Sequence, residues 1–558
     1  MKKIITLCFL VLFLQPLISN ARTQYNFYDD PENQHYHNQF KAKKAKSKAQ
    51  KLSLNTSHPK IMNLSKFRVN NIEVESDSLI NINFDDIISS YIGNIADDKV
   101  VRSILDGINK KLHDKGFILS FAYLPKQSLK NGYVKIKVIS GKIRDVKVIS
   151  DAEVTKNDLF NKYVSSILEM NPVTNSEIQK NIQLINLIPG FDLKYDLEPV
   201  KNPSSLNEIA DLVLIVNKEA GDITFSVNNQ GTKSIGKYQY YTLVNLYNTL
   251  NANEKLSIHG GSTNKFDALK LATIDFEKFI NSYGTSLNLM GSYVEDNPYV
   301  VLPGNANKNK STLVRGSIGH YLLLKRNESI KFNLGYEHRN SENNTVGTKV
   351  SNLKYANVFI SSEIEYKDFL KGKNFAIINY SRSIPNNTKI TRYDSSAQLL
   401  DRNYNFTTLD LYREQKLYKN FSLFNQFLSQ FSSNNIPVEQ QFFVGGLTTG
   451  RGYKNGFLSS NRGLDFAAEI RYTHKFNNLI EEVMPYGFYD ITKFSKSSAG
   501  SNKSSLQSAG FGVKLRTKYD VNILLESGFP FTKKITVDGV ENYNSNKFSF
   551  TVGKEFKF

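Results

Sequence analysis

The chain has 558 residues, no tryptophan and a single cysteine, Cys8. With one thiol there is no disulfide framework and no thiolate metal cage. Beyond residue 21 no stretch of about 18 consecutive apolar residues occurs, so no spanning helix is expected there. Walker loops, dinucleotide fingerprints, Gly-x-Ser-x-Gly, His-Glu-x-x-His and a convincing paired-carboxylate context are all missing. These absences argue against a nucleotide-driven machine and against an exported hydrolase. The expectation is a protein that is not an enzyme and has no cofactor and no metal. No nucleic-acid-binding signature appears either.

What is present is positive charge and aromatic residues. Seventy-one Lys and Arg outnumber 52 Asp and Glu, giving a net charge of +19. That charge suits nucleic acid, an anionic membrane surface or an acidic client, but the cations are dispersed. Thirty Tyr and 37 Phe, with abundant Gly, Asn and Ser, fit many short strands joined by polar turns. The length implies two to four domains. Residues 1–21 read as a signal peptide: Lys2 and Lys3, an apolar run over 4–18, then small residues at Ser19 and Ala21. An exported chain without a spanning helix is soluble or a β-barrel.

Residues 22–63 are polar and basic. They contain a His-Tyr-His triplet at His35–His37 and six lysines without an acid over 41–51. Residues 38–52 favour a helix, but no wide apolar face marks it as a core element. Such a segment is suited to lodge in a polar cavity. Residues 67–74, FRVNNIEV, alternate and predict a strand. Val100, Val101, Ile104, Leu105, Ile108 and Leu112 then recur at helical spacing over 99–115, and Gly116 ends the helix. Strands follow at 117–124 and 132–139. A second unit repeats the mixture, with a strand at 143–150, helices at 157–168 and 175–187, and strands at 191–197 and 210–217. Two small α/β modules in tandem make a binding arm whose exposed strand edges can accept a client segment.

From residue 221 to the end helical periodicity stops. Runs of about ten residues alternate instead. In 464–476 Leu464, Phe466, Ile470 and Tyr472 oppose Asp465, Glu469, Arg471 and Lys475. The last twelve residues repeat this and end on Phe558. An apolar exterior and a charged interior make a transmembrane barrel, and the 338 residues from 221 to 558 hold roughly 16 strands. Within this region QQFFVGGLTTGRGYKNG, residues 440–456, packs Gly445, Gly446, Gly450 and Gly452 around Arg451. Glycine at this density makes a tight loop, and one guanidinium inside it seeks a carboxylate. A solvated arginine on a surface turn is the plain alternative.

Three stretches resemble the outer-membrane transporters of two-partner secretion, the haemolysin-activator family. Leu124-Pro125-Lys126-Gln127 with Asn131-Gly132 and VKIKVISGKI resembles the end of its first POTRA module. LINLIPGF, with Pro189 and Gly190, and Ala210–Leu214 resemble the second. GGLTTGRGY resembles the loop that folds into the barrel lumen, whose hallmark is Val-Arg-Gly-Tyr; here Gly450 stands before Arg451, Gly452 and Tyr453. The resemblance implies a fold and a division of the chain: signal peptide 1–21, basic segment 22–63 as a plug helix and linker, POTRA modules at 64–140 and 141–219, and a barrel at 220–558. It also implies that Arg451 pairs with an aspartate in a Phe-x-Asp context, matched by Phe488 and Asp490, and that Phe558 is a membrane-targeting terminus.

The function so implied is export of one large exoprotein, of adhesin or haemolysin type, from the periplasm across a Gram-negative outer membrane. The POTRA modules would bind the unfolded client and the barrel would pass it. Outer-membrane lipid and the assembly machinery are the other implied partners, and nucleic acid is not one. A barrel-assembly insertase and a passive porin are the alternatives.

Overall fold

A computed structural model describes residues 65–558, apart from 151–152, 202, 233, 299–307, 346–347, 393–399, 496–503 and 538–539. The signal peptide, the basic segment and its histidines lie outside the described residues. The described chain divides into two compact units that meet between Lys218 and Glu219.

In the first unit, strand β1 (Asn71–Ser76) lies parallel to β3 (Tyr133–Ile139), which pairs antiparallel with β2 (Phe121–Tyr123). Helix α1 (Asp98–Asp114) covers the sheet. The Asp97 carboxylate caps it by accepting from the Lys99 and Val100 N–H groups. Gly116, at φ +91°, takes the left-handed turn that ends it. Val101, Ile104, Leu105, Ile108 and Leu112 bury one stripe against Ile72, Val134 and Ile136.

Two readings need correction. The strand expected over 67–74 is broken. Phe67–Arg68 pairs with Ile95–Ala96, and Asn70 N–H donates to Gly132 O before β1 begins. The strand expected over 117–124 shortens to three residues because Phe117 N–H returns to Leu112 O and closes the helix end. A short helical segment, Asp85–Ile88 continued by a 3-10 turn over Ser89–Tyr91, carries no periodicity long enough to read.

The motif residues act inside this module. The Gln127 side-chain amide donates to Lys135 O at 2.6 Å and accepts from Lys135 N–H at 2.8 Å, so it stands in for a strand residue beside β3. Leu124 packs against the core beside Pro125. Gly132, at φ +70°, lies so close to the chain that a Cβ would sit 2.2 Å from Arg68 O.

The second module has β4 (Lys142–Ser150) parallel to β6 (Glu208–Lys218), and β5 (Phe191–Pro199) antiparallel to β6. Helices α2 (Asp158–Leu168) and α3 (Asn175–Asn186) pack on the sheet. Asn157 caps α2, and Thr174 caps α3 while donating to Glu177. After α3, Pro189 and the left-handed Gly190 turn the chain into β5. Opposite the helices, Asp211 is buried beneath Arg144, which donates through Nε at 2.9 Å and Nη2 at 2.5 Å, and Lys147 stands 3.0 Å away.

The second unit is a closed antiparallel barrel of sixteen strands, from Gly221–Asn228 to Lys547–Lys557. Lys389–Arg392 continues Lys373–Ser383 after a 3-10 turn, and His474–Lys475 continues Gly463–Tyr472. Closure satisfies the backbone polar groups in hydrocarbon. Alternation sets the faces: Leu464, Phe466 and Ile470 point to lipid, while Asp465, Glu469 and Arg471 are buried in the lumen. The ten-residue estimate fails for three neighbours. Lys308–Lys325, Glu328–Thr345 and Thr348–Lys367 run 18, 18 and 20 residues, longer than about 11 needed to cross the bilayer. Phe558 N–H donates to Gly221 O at the closing seam, and its ring is exposed. At the other end of that seam the Asn229 amide bonds both Phe548 O and Phe550 N–H.

The hydrogen bonds from Arg144, joined by Lys147, hold the Asp211 carboxyl below the usual carboxylate range. Its stabilisation is therefore complete above an unfolded-state value of about 3.9 and is lost as pH falls through the depressed folded value. Asp211→Asn is expected to destabilise the α/β unit at pH 7 by about 1 kcal/mol, because both cations remain partly solvated. The gap from wild type should close in acid, as read by calorimetric melting at pH 7 and below pH 3.

Candidate functional site: a loop clasped in the barrel lumen

The chain between the eleventh and twelfth barrel strands, Phe421–Phe431 and Gly463–Tyr472, folds back into the lumen. There Phe442–Val444 pairs with Leu458–Ser460 as a short hairpin. Its turn depends on glycine. Gly445, Gly446 and Gly450 have φ of +93°, +140° and +55°. A Cβ on Gly445 would sit 2.1 Å from Lys454 O. Gly450, in the place of the family's valine, adopts a left-handed conformation that a β-branched residue resists.

Arg451 stands at the tip and is 6 % exposed. Its Nη2 donates to Asp490 Oδ1 at 2.7 Å and its Nε to Asp490 Oδ2 at 3.1 Å. The Arg451 backbone N–H reaches the same carboxylate at 3.0 Å. Nη1 donates to Glu469 and, at 3.4 Å, to Glu526 Oε2. The guanidinium lies 3.7 Å over the Phe488 ring. Phe488 and Asp490 share the lumen face of the strand Ile480–Phe494, and Tyr489 faces lipid. Glu469 Oε2 also accepts from Arg471 Nε at 2.7 Å, and Arg471 is fully buried 3.8 Å over Phe424. Tyr486 OH donates to Glu526. Three carboxylates and two guanidiniums thus share one buried, hydrogen-bonded site.

The rest of the tip fits by contact. Gly452 passes Gly528 so closely that a Cβ on Gly528 would lie 2.9 Å from Gly452 Cα. A Cβ on Gly452 would lie 2.7 Å from Ser508 Cβ and 2.9 Å from Pro530 N. Gly452 N–H donates to Ser508 Oγ, which in turn donates to Asp490. Tyr453 OH donates to Gln507 O and accepts from Thr532 N–H. Phe442, Val444, Tyr453, Phe457 and Leu458 bury an apolar cluster against Phe494 and Leu506 of the wall.

The structure therefore brings Gly445, Gly446, Arg451, Gly452, Tyr453, Phe488 and Asp490 together. Leu124, Pro125, Gln127, Gly132, Pro189 and Gly190 belong to the other unit. Sequence reading missed Glu469, Arg471, Glu526 and Gly528. Glu469 and Arg471 were visible as lumen-face residues, but nothing local singled them out from other lining charges. Among the described residues no group of three or more His, Cys, Asp or Glu is placed to hold a metal, and no helix is long and apolar enough to cross a membrane.

The sequence profile of the family described as haemolysin secretion/activation protein ShlB/FhaC/HecB matches residues 213–516, more than half the chain. The chain belongs to that family. The ShlB-type POTRA domain profile matches residues 67–141. The heme/hemopexin transporter protein HuxB of Haemophilus influenzae strain 86-028NP is 24% identical over 508 residues, covering 87% of this chain and 85% of that protein. The outer membrane transporter CdiB of Dickeya dadantii is 22% identical over 66% of each chain. Among solved structures, CdiB from Escherichia coli aligns with a TM-score of 0.73 at 15% identity, over 94% of this chain and 99% of that one. CdiB from Acinetobacter baumannii gives 0.65 at 13%, over 98% and 99%. These likenesses show the fold. As a member of the haemolysin-activator family the chain is a two-partner secretion transporter of the outer membrane, with its POTRA modules in the periplasm and a secreted exoprotein as partner.

Removing one member of the buried charge cluster leaves the others uncompensated, at a cost of about 3–5 kcal/mol. Arg451→Ala is expected to free the loop tip and abolish export while the barrel stays inserted. Gly452→Ala should cut export sharply through its contact with Ser508 and Pro530. Secretion assays with protease accessibility of the loop, beside heat-modifiable gel mobility for the barrel, read both outcomes.

Proposed function

We propose that the chain recognises one large exoprotein in the periplasm through its POTRA pair and passes it unfolded through the barrel lumen. The supporting observation is a closed barrel with a polar lumen crossed by a charge-clasped loop. The seam between first and last strands is paired from Phe558 to Asn229, which supports the lumen as the route over a lateral opening. This favours secretion over an insertase. An extended client pairs by strand addition with an open sheet edge, such as β4 or β5 of the second POTRA module. Folding outside the cell supplies direction without nucleotide, so no catalysis is assigned. The client is of the adhesin or haemolysin type common in the family.

Deleting residues 67–216 is expected to leave an inserted, ion-conducting barrel that secretes nothing. Undiminished secretion would remove the POTRA pair from the mechanism. Capture of a large β-rich exoprotein from periplasmic extract by the intact transporter, and its loss on that deletion, tests recognition directly.

A further inference from the structure

The lumen loop reaches opposite walls of the barrel, and its two ends are held by different chemistry. The tip rests on strands twelve to fifteen, through Glu469, Asp490, Ser508 and Glu526. The stem, residues 432–441, reaches the seventh strand, Glu328–Thr345, eight places round the ring from the fifteenth. There Gln440 Nε2 donates to Glu337 Oε1 at 2.8 Å, and Asn357 Nδ2 donates to the same carboxylate oxygen at 2.9 Å. Tyr404 OH donates to Asn357 Oδ1. Ile436 packs against Tyr404 and Phe406.

The two attachments differ in what release costs. Undocking the tip separates the Arg451 guanidinium from three buried carboxylates on the wall and uncovers the apolar cluster on Phe494 and Leu506. Undocking the stem breaks the Gln440–Glu337 amide–carboxylate bond, bonds to Gln430, Asn405 and Asp401 and a small apolar contact, but separates no ion pair among the described residues. Glu439 Oε2, Gln440 Oε1 and Tyr355 OH are buried at the stem with no hydrogen-bond partner among protein atoms. Unpaired buried acceptors gain hydrogen bonds when water enters. Release of the stem is therefore the cheaper motion, and it opens space along the wall opposite the clasp.

We infer that the Gln440–Glu337 contact is a latch, and that the stem swings off the far wall during transport while the Arg451 clasp stays closed. This rests on the lumen being the transport route. Gln440 and Glu337 are positioning residues, since neither needs to touch the client.

The test uses the full chain, with Cys8→Ser, in planar bilayers under potassium chloride. Glu337→Cys and Gln440→Cys are joined by a short bis-methanethiosulfonate linker, because both native side chains are long. Cross-linking is expected to remove the large-conductance openings, and dithiothreitol should restore them. Glu337→Ala with Gln440→Ala should raise open-channel occupancy several-fold while the loop tip stays protease-protected. Cross-linked channels that open like wild type, or an alanine pair with unchanged conductance, would overturn the latch and leave the transport route standing. No ion current from untreated wild type would instead sink the lumen route and the latch with it.

Discussion

A guanidinium buried in a barrel lumen has to be neutralised, and everything around Arg451 answers that need. Asp490 meets it along one edge, Glu469 and Glu526 meet the remaining nitrogen, and Phe488 covers its face. A charge removed from water without such partners would be expelled or would drag the loop with it. The geometry is demanding because a guanidinium is planar and its donors are fixed in direction. The loop tip is therefore held in one place and orientation. The glycines that let the backbone approach the wall belong to the same requirement.

The second constraint comes from the bilayer. Backbone groups in hydrocarbon must pair, so the strand row has to close on itself. Here the first strand is short, and the seam extends past it by the terminal Phe558 on one side and the Asn229 side chain on the other. A side-chain amide carries the same donor and acceptor as a peptide, so it continues a ladder where the main chain has turned away. Gln127 does the same beside β3 in the first POTRA module. In both places a polar side chain completes a sheet edge that would otherwise be left open.

The loop couples these two constraints. A polar lumen would remain water-filled if nothing entered it, yet the hairpin brings its own apolar residues inside and packs them on Phe494 and Leu506. The loop is thus held by ion pairs and apolar packing at the clasp and by hydrogen bonds without an ion pair among the described residues at the equally buried stem. On the latch proposal, that asymmetry would leave a fixed clasp and a releasable stem within a single connection.

The sequence by itself determined the class of architecture. Period-two alternation between lipid and lumen, the helical stripe of 100–112, and glycine density around Arg451 are local signals that each reflect one physical demand. They were enough to separate an α/β arm from a barrel and to mark Arg451, while Phe488 and Asp490 were marked by the resemblance to the haemolysin-activator family. Local pattern did not show that residues 67–74 break in two, since Gly132 intrudes from sixty residues away. It did not pick Glu469 and Glu526 from the other lumen acids, or Gly528 from the other glycines. Those choices depend on which strands lie beside the loop tip once the ring has closed. Only the tertiary structure decides that, because sheet neighbours in a sixteen-stranded barrel are set by closure and register rather than by anything within one strand.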